Sequence, residues 1–396
     1  MDKVLRILIL NYEYPPLGGG AGIVTQHLAE RFANKGCIVH VVTAWFAGEP
    51  EISIEGNLTL VRLKSRRKLS YNSNPIEMLS WAKKAVKYFR QLPDQKMFDI
   101  CLANFTVPGG LVAKYVKKKW SIPFVILSHG HDIPWFAPKQ MLLWHVLAYP
   151  WIKNVMKLSS ANIVLTEDLK KSADHFLGEK LKDKNKVIPN GMLMDQYNSG
   201  FNSNKKQLEI LFVGRMVEQK DPITFIKACK AIKLLGIPTH FTMIGDGPLK
   251  NQVEKWALQQ NIGDIEIMGQ VSHYDVLKTY ERTDLLILPS REEAMSMVAL
   301  EALSRGIFLI ATPVYGSKHL IEEDVNGHFI PYGDVQAIAE KVADFYYNKF
   351  LKNYQYPPDV IKNLFDRYSW DKVAQEYLNL FTQLVNIEKP NATMVE

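Results

Sequence analysis

Short apolar runs alternate with amphipathic stretches along this chain, and their order predicts the fold. Residues 4–11, 38–43, 58–63, 100–104, 124–128 and 162–165 have the length of buried strands. Helical periodicity fills the intervals at 23–34, 75–92, 109–119 and 167–177. A polar, aperiodic stretch at 199–206 reads as a linker. A second series follows, with strands at 209–213, 240–244, 265–268, 285–288 and 308–311 and helices at 222–235, 249–260, 274–281 and 298–305. Strand–helix alternation implies parallel sheets with right-handed crossovers. The expectation is therefore an α/β protein of two doubly wound, Rossmann-like domains facing each other across a cleft. The first spans 1–200 and is completed by an amphipathic helix within 370–396; the second spans 201–369. Residues 133–152 are the most apolar and aromatic part, with Trp135, Phe136, Trp144, Tyr149 and Trp151. Core packing is the default reading there; a face dipping into a membrane interface, or an aromatic acceptor groove, is the alternative.

In open α/β sheets ligands bind outside the carboxyl ends of the strands, so the loops leaving each strand matter most. The first carries Gly18, Gly19, Gly20 and Gly22 at a helix start, where backbone can approach a phosphate or a sugar. A dinucleotide fold is disfavoured: these glycines begin several residues after the strand, and the second strand ends Val41-Val42-Thr43 without an acid for a ribose hydroxyl. The strand at 124–128 delivers His129-Gly130-His131-Asp132.

The 396 residues are 47% hydrophobic and 22% charged, as in an ordinary globular protein with ample core. Cys37, Cys101 and Cys229 form no CxxC or Cys/His pattern, so neither a zinc signature nor a disulfide framework is expected, and a reducing compartment is. Neither a signal peptide nor a spanning helix is expected. Residues 1–200 hold 27 Lys and Arg against 16 Asp and Glu, a net of +11, while the remainder nets −4. A basic first half suits anionic lipid head groups, a phosphorylated acceptor or nucleic acid, unless it is merely a solvated face. Its basic side chains cluster at Arg62, Lys64, Arg66, Arg67 and Lys68, and again at Lys83, Lys84, Lys87 and Arg90.

The second half carries the sharper chemistry. Gly214-Arg215 ends a strand and Lys220 follows before Asp221-Pro222 opens a helix. An arginine fork and a lysine point charge on one loop suit a diphosphate, although Glu218 and Asp221 offer local partners. Gly245-Asp246-Gly247-Pro248 is a tight turn with Asp246 as a candidate helix cap. Gly269-Gln270-Val271 could flank a planar base. Glu293 and Glu301 bracket the loop-to-helix segment that includes Ala294, Met295, Ser296 and Met297, whose amides suit an anion. The plain alternative makes Glu293 a helix cap and Glu301 a solvated acid.

Gly214-Arg215…Lys220, Gly245-Asp246-Gly247-Pro248 and Pro289-Ser290…Glu293…Glu301-Ala302 together resemble the retaining nucleotide-sugar glycosyltransferases of family 4, with the two-Rossmann GT-B fold. The glycine loop and the His129 loop agree with this. The resemblance implies transfer of a sugar from a nucleotide-diphosphate sugar to a glycan or lipid-linked acceptor, in polysaccharide or glycolipid synthesis, without metal or cofactor. It implies that Arg215 and Lys220 stabilise the leaving diphosphate, Glu293 binds sugar hydroxyls and Glu301 the ribose. The amides of Ala294, Met295, Ser296 and Met297 would hold the sugar or its phosphate, with Gly214 and Val271 lining the nucleotide. His129 would sit at the donor sugar from the first domain, and Gly18, Gly19 and Gly20 would close over the cleft. Three positions depart from the family pattern. Ala294 and Ser296 replace glycines usual beside the first glutamate, and Ser317 stands where a glycine is common and could reach a phosphate. The expected setting is cytoplasmic, with peripheral association on the inner face of an anionic membrane as the alternative. A nucleotide-sugar epimerase of the same architecture, and a non-catalytic nucleotide or nucleic-acid binder, are the rival functions; no nucleic-acid recognition motif supports the last.

Overall fold

The structure is a computed structural model that describes residues 4–70, 73–134, 138–193, 205, 207–354 and 357–387. The chain divides into two compact units: residues 1–190 with 370–396, and residues 191–369. Most of the 199–206 stretch lies outside the described residues.

The first unit is built on strands β1 (Arg6–Leu10), β2 (Ile38–Ala44), β3 (Ile52–Glu55), β4 (Leu58–Leu63), β5 (Ile100–Asn104), β6 (Phe124–Leu127), β7 (Ala161–Val164) and β8 (Asn185–Val187). They form one sheet in the order β3-β4-β2-β1-β5-β6-β7-β8, parallel except where β3 pairs antiparallel with β4. β1, with no exposed residue, reads as the continuous apolar run of a strand covered on both faces. β3 is largely exposed, with Ile52 and Ile54 facing solvent; the sequence reading passes over it although Ile52-Ser53-Ile54-Glu55 alternates apolar and polar residues ahead of Gly56-Asn57. The helices are α1 (Gly20–Asn34), α2 (Pro75–Gln91), α3 (Leu111–Trp120), α4 (Pro138–Leu158) and α5 (Glu167–Leu177). Asn74 and Glu77 make a reciprocal capping box ahead of α2, with Pro75 at its first position. Thr166 caps α5 by accepting from the Leu169 amide.

The second unit has strands β9 (Leu208–Val213), β10 (Thr239–Ile244), β11 (Ile265–Gly269), β12 (Leu285–Leu288), β13 (Phe308–Ala311) and β14 (Gly327–Phe329). They pair in parallel in the order β11-β10-β9-β12-β13-β14. Its helices are α6 (Pro222–Leu234), α7 (Lys250–Gln259), α8 (His273–Tyr280), α9 (Met297–Leu303), α10 (Val335–Phe345) and α11 (Pro358–Tyr368). Phe212, Phe225, Phe241, Phe308 and Phe345 lie in its buried core. The chain then returns to the first unit as α12 (Trp370–Ile387). Trp370, Tyr377 and Phe381 bury themselves there on α1, with ring centroids 4.9 Å from His27 (Trp370), and 6.1 and 5.7 Å from Phe32 (Tyr377 and Phe381).

Two sequence expectations change. The aromatic stretch 133–152 is neither all core nor all surface: Ile133 and Ile152 are buried, while Val146, Leu147 and Trp151 on α4 are exposed. Trp135, Phe136 and the side chain of Trp144 lie outside the described residues. The basic cluster at 62–68 is also not one exposed patch. Arg62 is buried against Glu49, the Pro50 carbonyl and Ser53, and Arg67 is buried against the carbonyls of Leu69 and Ser70, with Glu13 at 3.9 Å.

Candidate functional site

In the second sheet the strand order reverses between β9 and β12, which carry successive segments away to opposite sides. The loops leaving their carboxyl ends flank a crevice at such a switch point. The β9 loop is Gly214 to Asp221 and the β12 loop is Pro289 to Ser296. Lys220 donates to Glu293 across this point, Gln219 Nε2 donates to the Glu292 carbonyl at 2.8 Å, and the Arg291 amide donates to the Gln219 carbonyl at 2.8 Å. Lys220 and Glu293 are 15% and 11% exposed, so each charge depends on the other for much of its compensation. Gln219 Oε1 and Ser290 Oγ, in the same two loops, are buried with no hydrogen-bond partner among the described residues. Unsatisfied buried polar atoms are costly and call for an explanation such as a ligand.

Local backbone demands explain the glycines. Gly245 and Gly247 leave β10 at φ +142° and +156°. A Cβ on Gly245 would lie 1.9 Å from the Gly214 carbonyl oxygen, and one on Gly247 would lie 2.5 Å from that of Met216. The turn thus presses directly on the β9 loop. Asp246 does not cap α7: its carboxylate accepts from the next amide, Gly247, and Leu249 occupies the cap position. Ser296, not Glu293, caps α9, by accepting from the Ala299 amide at 3.2 Å. Asp221 caps α6 through Thr224 rather than pairing with the basic residues.

Each expected residue of this unit has a definite place. Arg215 is exposed and its side chain makes no ion pair or hydrogen bond among the described residues, whereas Lys220 is held by Glu293. Ala294, Met295, Ser296 and Met297 are all buried, and a Cβ on Gly316 would lie 2.7 Å from the Met295 Cα, so this loop is backed by a glycine from the next connection. Val271 is half-buried just before α8. Ser317 is not directed at a phosphate: its hydroxyl donates to the Thr312 carbonyl at 2.5 Å and to that of Val314. Glu301 is not a solvated acid. It is 12% exposed, with Oε1 2.9 Å from His273 Nε2 and Oε2 accepting from Tyr280 at 3.2 Å. The bond to Glu301 holds the His273 imidazolium pKa above its usual value. Burial first, and then Glu301, raises that of Tyr280. His273, Tyr280 and Gln219 were not singled out in the sequence. The available signal was spacing: His273 and Tyr280 stand two turns apart on one face of α8.

In the first sheet the order reverses between β1 and β5. Gly18 follows β1 at φ +89°, its amide donating to the Ser70 carbonyl at 2.7 Å. A Cβ there would strike the Glu13 side chain at 2.6 Å. Gly19 is the cap residue of α1 and Gly20 its first residue; no side chain caps those amides. At the end of β6, Asp132 accepts from Ser128 at 2.6 Å and from the Thr106 amide and hydroxyl at 3.0 and 3.2 Å. Asp132 is therefore a brace between the β6 and β5 loops, and burial raises its carboxyl pKa. His129 Nε2 lies 2.8 Å from Asn104 Oδ1 and its ring packs 4.8 Å from Phe105. Burial, with His131 adding to the effect, pushes its pKa down to about 3, so the ring is neutral near pH 7. With the Asn104 oxygen accepting, Nε2 carries the proton and Nδ1 keeps its lone pair.

One group of metal-type ligands gathers among the described residues, Glu323, Asp324 and His328. His328 Nδ1 is 3.2 and 3.3 Å from the two carboxylates, and Lys341 is 3.5 Å from Glu323. Both carboxylates are exposed, so histidine, lysine and water suffice as their partners.

Comparison with known proteins adds to this geometry. The family model described as Glycosyltransferase Family 4 matches residues 18–195, and that described as Glycosyl transferases group 1 matches residues 195–383. An uncharacterized glycosyltransferase of Methanocaldococcus jannaschii is 25% identical over 96% of this chain and 99% of its own length. The O-antigen chain mannosyltransferase C of Escherichia coli is 24% identical over 96% and 99%. Among solved structures, Anabaena HepE in complex with UDP-glucose superposes with a TM-score of 0.72 at 16% identity, covering 96% of this chain and 100% of that one.

Proposed function

Since the chain belongs to the group 1, family 4 glycosyltransferases and is an enzyme of hexosyl-transfer type, we propose that its second unit binds the nucleotide-sugar donor and its first unit serves the acceptor side. The observation that carries this reading is the contact of Lys220 with Glu293 across the β9/β12 switch point. It brings a cation and a carboxylate together at one crevice, with Arg215 on the loop that carries the cation. Arg215 and Lys220 stabilise the departing diphosphate, Glu293 accepts from sugar hydroxyls, and Glu301 accepts from the ribose. The amides of Ala294, Met295, Ser296 and Met297, with Gly214 and Val271, complete the donor side. In the first unit Gly18, Gly19, Gly20 and His129 face the reacting sugar.

The reaction is retaining and uses no metal in this reading. The bond from the anomeric carbon to the diphosphate oxygen breaks, and its electron pair leaves with the nucleotide. The acceptor oxygen bonds the same face of the sugar and gives its proton to the departing phosphate oxygen. Fixed positive charge on Arg215 and Lys220 lowers the cost of that departure. A glycan or lipid-linked acceptor in polysaccharide or glycolipid synthesis is supported by the O-antigen mannosyltransferase relative. The comparisons do not favour an epimerase. Glu293→Ala should cut turnover about 10²–10³-fold while the protein stays folded; turnover within about threefold of wild type removes Glu293 from the mechanism.

No helix among the described residues is long and apolar enough to cross a membrane. Exposed Val146, Leu147 and Trp151 on α4 lie in the basic first unit, and Lys114 and Lys117 of α3 reach Asn154 and the Leu158 carbonyl beside them. This face is proposed to rest on an anionic bilayer. The protein should float with phosphatidylglycerol liposomes and Trp151→Glu should not; sedimentation of both with the free protein rejects the membrane contact.

A further inference from the structure

Glu301 is the one proposed donor-binding group whose two carboxylate oxygens are each held by a different side chain. His273 engages Oε1 at 2.9 Å and Tyr280 engages Oε2 at 3.2 Å, both from α8. Arg305 anchors the backbone beneath them: its guanidinium donates to the Glu301 carbonyl at 2.9 Å and lies 5.5 Å from the Tyr280 ring. Tyr280 is 2% exposed, so the direction of its hydroxyl is set by packing. A carboxylate offers about four lone-pair directions, two on each oxygen. His273 and Tyr280 take one each. One direction on each oxygen is left, and that pair matches two neighbouring hydroxyls on a furanose ring.

The arrangement also settles the side chain before a ligand arrives. An unheld glutamate has several rotamers, and fixing such a side chain on binding costs affinity. Here that cost is met when the unit folds. We propose that His273 and Tyr280 are positioning residues that aim Glu301 at a ribose cis-diol and so set the enzyme's discrimination between ribonucleotide and deoxyribonucleotide donors. This rests on the reading that Glu301 takes the ribose. If the two residues merely packed α8 against α9, they would affect stability and all nucleotides alike.

The test is calorimetric titration of the full chain with UDP, ADP and GDP and with their 2′- and 3′-deoxy forms, on wild type, Glu301→Ala, His273→Ala, His273→Gln and Tyr280→Phe. Ligand-free melting verifies that each variant is folded. Wild type should bind its preferred ribonucleotide about 10–100-fold more tightly than the deoxy forms, the range expected for a hydrogen bond to a charged group. Glu301→Ala should erase that ratio. His273→Ala and Tyr280→Phe should each weaken the ribonucleotide about tenfold and leave deoxy binding unchanged, while His273→Gln, which keeps a donor, should stay within about threefold of wild type. A wild type that does not discriminate, or a Glu301→Ala that still does, overturns the ribose reading and this inference with it. Discrimination lost in Glu301→Ala but intact in His273→Ala, or an equal loss for both nucleotide forms, overturns the inference alone.

Discussion

The two switch points of this protein are furnished differently. In the first unit the loops at β5 and β6 meet through hydrogen bonds without a basic side chain: Asn104 with the neutral ring of His129, and the Asp132 carboxyl with two hydroxyls and an amide. In the second, the loops at β9 and β12 meet through an ion pair, with an exposed arginine on one of them. A network of hydrogen bonds with no cation in it presents donors and lone pairs suited to sugar hydroxyls. An ionic one can exchange a carboxylate partner for an incoming diphosphate. The same strand-edge geometry thus serves two chemistries, and the side chains at the edge decide which.

The largest expected effects separate the two cations of the ionic edge. Arg215→Ala should lower turnover about a hundredfold through lost diphosphate stabilisation. Its unfolding free energy should stay within about 0.5 kcal/mol, because the side chain touches nothing it would leave unsatisfied. Lys220→Ala should lose as much turnover and also about 1–3 kcal/mol of stability, since Glu293 keeps its burial and loses its partner. Urea melts beside kinetic assays make the distinction; equal stability losses in both variants would mean that the ion pair is not what ties these loops.

The hydrogen-bonded edge of the first unit is probed by pH. The His129 pKa is depressed to about 3 in the folded chain and is about 6.5 when unfolded. Between these values the unfolded chain binds a proton that the folded chain does not, so stability falls as pH drops through this window. His129→Gln keeps a donor for Asn104 and removes the titration. Its melting temperature should fall less than that of wild type between pH 7 and pH 4; parallel curves would place a charged, solvated histidine at this loop. The smallest effect belongs to the cap between the proposed donor glutamates: Ser296→Ala should cost about 1 kcal/mol by leaving the Ala299 amide unaccepted. A loss below about 0.3 kcal/mol would show that α9 is held by its burial alone.

The sequence exposed what periodicity and position can encode. Buried parallel strands such as residues 285–288 and 308–311 are continuous apolar runs and match β12 and β13 residue for residue. The charged loops followed, because Arg215, Lys220, Glu293 and Glu301 stand just past strand ends or one helix turn beyond. What stayed hidden had a weak local signature or none. β3 is an exposed edge, and β14 is three residues long. Asp132 looked like chemistry and is a brace, and Ser317 looked free and is committed to carbonyls, because those partners lie in other loops. His273 and Tyr280 escaped notice since their importance lies in a single carboxylate reached only once α8 and α9 are folded.

The return of the chain as α12 has a consequence for synthesis. A ribosome delivers residues 1–190 first, with Phe32 and His27 of α1 ready for rings that have not yet been made. At about 5–20 residues per second, the whole second unit must emerge before Trp370, Tyr377 and Phe381 do, on the order of ten to forty seconds later. During that interval the first unit presents an uncovered apolar face to the cell. A segment translated only after the second unit closes the first-made one, so a stop codon ahead of Trp370 would damage a part of the molecule made long before it.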